Sequence, residues 1–116
     1  MSETVLHKGL TPERWNRFPL ERRLGMITSE FVRAGHLMAD DDGRHDVQRC
    51  YARARELLTW TIQGLSAEDL VAAWLTAVIR AIDEADCERW DGARLAEHAH
   101  HLSAMVSRTS AQDRAS

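Results

Sequence analysis

The sequence predicts an all-α fold: a small helical bundle of about four main helices, preceded by a short N-terminal helix. Three observations predict it. Apolar residues return at steps of three and four through four successive segments, the spacing that gathers them on one face of a helix. No segment alternates apolar and polar residues with period two over the length of a strand. Only two prolines and six glycines interrupt the 116 residues.

Thr11-Pro12-Glu13 opens the first element, because a capping hydroxyl, a first-turn proline and a first-turn acid satisfy or replace the unpaired N–H donors of a helix start. This short helix is predicted from Pro12 to about Phe18. Pro19 interrupts it and can start the next, predicted from Leu20 to about Ala39. Leu20, Leu24, Ile27, Phe31, Ala34 and Met38 form the seam of that second helix. Asp40-Asp41-Asp42-Gly43 is predicted to stop it, since aspartates compete for backbone bonds and glycine tolerates left-handed geometry.

A third helix is predicted from about His45 to Leu65, with Val47, Tyr51, Ala54, Leu58, Ile62 and Leu65 inward and Gly64 at its end. The short connection makes it a helical hairpin with the second. Ser66-Ala67-Glu68-Asp69 resembles a capping box and is expected to open a fourth helix reaching about Ala85. Its apolar residues, Leu70 to Ile82, cover roughly 200° of the helical wheel, against the ~100° a surface helix needs. A last helix, from Arg89 or Gly92 to Val106, carries Leu95, Ala99, Leu102 and Val106 inward. The expected organisation is a flexible N-terminus (1–10), one domain (11–106) and a flexible polar tail (107–116).

Composition narrows the function. The fractions of 44% hydrophobic and 28% charged residues suit one globular domain, and no apolar run approaches the ~20 residues that cross a bilayer. The first ten residues lack the apolar region of a secretory signal, so the cytoplasm is the expected compartment. Net charge is −3 and the arginines are scattered among acids, which argues against nucleic acid as a partner. Cys50 and Cys87 lack CxxC spacing and are expected as free thiols. No Ser/His/Asp arrangement and no phosphate-cradling glycine loop is present, so nothing points to catalysis, and no cofactor is expected.

Two constellations bear on chemistry. Glu97-His98-Ala99-His100-His101 contains the E-x-x-H spacing of di-iron bundles, but no second copy exists and the wheel turns Glu97, His100 and His101 away from the core. An iron or zinc site on Glu97, His98, His100 and His101 is the alternative functional reading. The aspartate run lacks the glycine at position six and the glutamate at position twelve of a calcium loop. Arg55, inward between Tyr51 and Leu58, needs either a partner, with Glu30 across the hairpin as the candidate, or an exit to water along its stem.

Trp74 is expected in the core. Trp60 falls opposite the inward band of its helix, where an exposed indole suits an interface or a site for the N-terminal helix. Leu75 and Ile79 form a ridge left over once Trp74, Val78 and Ala81 are assigned inward. The first reading is therefore a non-enzymatic module acting by protein contact, a homodimer or a subunit of a larger assembly, with Trp60, Leu75, Ile79 and Trp15 at the interface. The rival is that Trp15 and Phe18 fold back over the ridge.

The stretch Ile27-Thr28-Ser29-Glu30-Phe31-Val32-Arg33-Ala34, followed by Cys50-Tyr51-Ala52-Arg53-Ala54-Arg55-Glu56-Leu57-Leu58 and Thr61-Ile62, resembles a group of short bacterial helical proteins of unknown function. The resemblance spans about residues 20–65, has Arg55 where leucine is expected, and implies the hairpin without an activity. The hairpin is also similar to one tetratricopeptide unit through Ala34, Gly35 and Met38 on one helix and Val47, Tyr51 and Ala54 on the next. That family's repeats bind peptides, but a single unit builds no solenoid.

Overall fold

The computed structural model describes residues 9–37 and 43–115, with side chains through residue 110. Helix α1 is Pro12–Trp15, capped by the Thr11 hydroxyl accepting from the Arg14 N–H. The main helices are α2 (Leu20–Leu37), α3 (Arg44–Gln63), α4 (Leu70–Glu84) and α5 (Gly92–Ala115). Among the described residues there is no strand. Each main helix packs on the next, and α5 closes the ring against α2. The shortest dimension, 20 Å, corresponds to two helix layers, each ~10 Å across with its side chains.

The seams of α2 and α5 follow the periodicity. Leu24, Ile27, Phe31 and Ala34 are buried on α2, and Leu95, Ala99, Leu102 and Val106 on α5. Other expectations are corrected. Helix α5 does not end at Val106 but runs to Ala115, with Thr109 buried and its hydroxyl donating to the Met105 carbonyl. Ser66 does not open α4: its hydroxyl accepts from the Glu68 N–H in a turn, and Asp69 caps the helix by accepting from the Val71 N–H. Residues 1–8 and Asp40-Asp41-Asp42 lie outside the described residues, but Leu10 already packs on the core.

The glycine at position 43 has a different role from the one its turn context suggests. Its φ is −80°, an ordinary right-handed value, so it is not a left-handed stop. It is buried where a Cβ would collide with the Leu37 carbonyl, which makes it the point at which α2 and α3 approach.

Helix α3 is buried over a wide arc. Val47, Cys50, Tyr51, Ala54, Leu57, Leu58, Trp60 and Thr61 are all buried, because α2 and α4 cover one side and α1 covers another. Trp60, expected outward, is 8% exposed. The Trp15 indole, 0% exposed, donates to the Thr61 hydroxyl at 2.8 Å, and Thr61 donates in turn to the Leu57 carbonyl. Arg23 donates to Asn16 Oδ1 at 2.6 Å and to the Phe18 carbonyl, while Asn16 donates to the Trp60 carbonyl. These bonds fasten the N-terminal helix to α3 and satisfy polar groups that burial would otherwise penalise.

Candidate functional site

Helix α4 is rotated from the orientation its sequence suggested. Val71, Ala72, Leu75, Val78 and Ile82 face the core. Leu75, expected on an exposed ridge, is 0% exposed, and Ile79 is half-buried against the core cluster. Trp74, expected inside, is 37% exposed, and Leu70 is 57% exposed. Leu75, Val78 and Ile82 lie at steps of three and four, but so do Trp74, Val78 and Ala81; packing against α3 and α5 turns the first seam inward and leaves Trp74 on the flank. Trp15, Trp60 and Leu75 are thus buried within their own chain, and the exposed apolar face is a different one.

That face lines a groove of about 320 Å³ between α4 and α5, formed by Leu70, Ala73, Trp74 and Ala77 on one wall and Met105, Arg108 and Thr109 on the other. Helix α4 carries no charged residue from Leu70 through Ile79. Large and small side chains alternate along the stripe: Leu70, Ala73, Trp74, Ala77. Such a surface can receive a helix, because alanines allow close approach and the larger residues fill the space between.

The histidine segment does not act as one cluster. His98 is half-buried, and its Nδ1 lies 2.9 Å from the Tyr51 hydroxyl. The backbone of Ala81, in the last turn of α4, favours a charge on the same ring. Trp90 packs edge-on against His98 at 5.1 Å and carries the Arg94 guanidinium 3.9 Å over its face. Burial lowers the His98 pKa and raises that of Tyr51, so both groups are held neutral.

His100 instead sits over α2, where a Cβ on Gly35 would meet its ring at 3.5 Å. Glu97 and His101 are exposed beside Trp90 and Arg94. Among the described residues no three His, Cys, Asp or Glu side chains converge to hold a metal ion. The E-x-x-H spacing is thus divided between two surfaces of α5. What His98 does instead is join α3, α4 and α5 at one end of the bundle.

The Glu30–Arg55 pair is corrected as well. Arg55 reaches outward to Asp83 of α4 through two bonds of 2.9 and 3.0 Å, and Glu30 pairs with Arg53 at 3.4 Å. The hydrogen bond from Arg55 holds the Asp83 carboxyl below its usual pKa. Both members are exposed, so the pair contributes at most about 1 kcal/mol. Arg44, not singled out in the sequence, donates to the Cys87 and Trp90 carbonyls at 2.6 and 2.7 Å and holds the turn before α5. Cys50 and Cys87 are free thiols whose pKa burial raises.

No helix of the described residues is long and apolar enough to cross a membrane. Set beside known protein families, curated proteins and solved structures, the chain matches none.

Proposed function

We propose that this chain is a non-enzymatic helical-bundle module that acts by protein contact, with the α4/α5 groove as its contact surface. The observation that supports this reading is the uncharged stripe of Leu70, Ala73, Trp74 and Ala77, which leaves a tryptophan and a leucine in water on a helix whose Val71, Leu75, Val78 and Ile82 are buried. The ionisable groups with the best-defined geometry are engaged in holding helices together: His98 at the α3/α4/α5 junction, Arg23 under α1, and Arg44 beneath the 86–90 turn.

A photoreactive amino acid in place of Ala73, in cells producing the full chain, tests the reading. The expected result is a covalent adduct with protein, this chain or another, that is absent when the same residue replaces exposed Ala52 on α3. Equal labelling at both positions, or none at Ala73, would overturn it.

A further inference from the structure

We propose that the occupant of the α4/α5 groove is a second copy of this chain, docked with its α4 antiparallel to the first about a two-fold axis between Ala73 and Trp74. This inference rests on the groove being a protein contact surface and adds who the partner is and in which register it sits. Shape and charge carry it.

The stripe is self-complementary in that register. Its four residues span positions 70 to 77, and turning a copy about the centre of the stripe sets Leu70 against the partner's Ala77 and Ala73 against the partner's Trp74. Every large side chain then meets an alanine, and each contact occurs twice, as a two-fold interface requires. A parallel copy in the same register would instead press tryptophan on tryptophan and leave the alanines facing a gap.

Charge selects the same arrangement. Glu68 lies two residues before the stripe and Arg80 three residues beyond it, and both are exposed. Among the described residues neither side chain has an ion-pair partner. Antiparallel docking brings Arg80 of each copy to the Glu68 end of the other, so two pairs of opposite charge bracket the apolar centre. Parallel docking would place Glu68 on Glu68 and Arg80 on Arg80, a like-charge arrangement that disfavours it. The α4 dipoles also oppose in the antiparallel pair. Exposed charges flanking a small apolar centre give a weak, salt-sensitive dimer.

Sedimentation equilibrium of the full chain from about 1 μM to 1 mM tests this, the range in which a small interface associates. A monomer–dimer equilibrium is expected. Arg80→Glu and Glu68→Arg should each weaken it about tenfold, since each sets like charges together, and the double variant should recover most of the loss. Both positions are solvent-exposed, so unchanged far-UV circular dichroism is expected for all three variants. A chain monomeric throughout, or a double variant as weak as the sum of the singles, overturns the second copy as occupant. If the Ala73 photoadduct still forms, with a different protein, the contact-surface reading survives and only the partner is wrong. If both fail, the groove is not an interface.

Discussion

The indole N–H of Trp15 donates to the hydroxyl of Thr61 at 2.8 Å, a fully buried bond between residues 46 positions apart. It fixes the N-terminal helix to α3 and explains why Trp60, beside Thr61, has no exposed face to offer a partner. Thr61→Val keeps the shape but leaves the indole donor unpaired, and should cost about 1–3 kcal/mol in urea unfolding. Trp15→Phe combined with Thr61→Val should cost less than the two separate losses summed, because they share one bond. Strict additivity would show that the bond contributes nothing.

Leu75 and Trp74 are neighbours in sequence with opposite environments. Leu75→Ala empties a fully buried position and should lower stability by about 2–5 kcal/mol, whereas Trp74→Ala removes a side chain on the groove and should cost much less. Chemical denaturation at low protein concentration, where association does not contribute, separates the two. The reverse ranking would restore the helix orientation that the sequence suggested.

Glycines 43 and 25 should respond oppositely to alanine. At Gly43 the new Cβ collides with the Leu37 backbone, so Gly43→Ala should destabilise by about 1–3 kcal/mol. Gly25 lies on the exposed side of α2 with nothing within 4 Å of a built Cβ, so Gly25→Ala should stabilise by about 0.5–1 kcal/mol. Thermal unfolding of the two variants gives the comparison.

Stability should fall as the solution is acidified, beginning near the pH at which an unfolded-state imidazole titrates, ~6.5. His98 is a base whose folded pKa is lowered by burial, so between that lowered value and ~6.5 the unfolded chain binds the additional proton. Its contribution is complete above ~6.5 and lost as pH drops through the folded value. Arg94 and His101 oppose a charge on His98, while Glu84 and the Ala81 backbone favour one. Asp83, with a lowered pKa, adds a second loss in more acidic solution, as pH falls through its own folded value. A His98→Gln variant, followed by Tm against pH, should lose the step that begins below ~6.5 and keep the more acidic one. An unchanged profile would remove His98 as the source.

The order of residues alone settles that the chain is helical, where each helix begins to within a few residues, and which faces of α2 and α5 are buried, though not that α5 continues past Val106 to Ala115. Those properties depend on local spacing: steps of three and four define a stripe, and Leu24 to Ala34 or Leu95 to Val106 admit only one. The tertiary structure decided what local spacing leaves open. Helix α4 is apolar around much of its circumference, so periodicity allowed either Trp74 or Leu75 to face inward; contact with α3 and α5 chose Leu75. Helix α3 has two buried sides because α1 returns to cover Trp60, a contact across 44 residues between Asn16 and the Trp60 carbonyl. Arg55 chose Asp83 over Glu30 because α4 passes within its reach on the solvent side. The histidines are adjacent in the chain, yet a helix turns each residue ~100° from the last, so their partners lie on different helices and only the packed bundle assigns them.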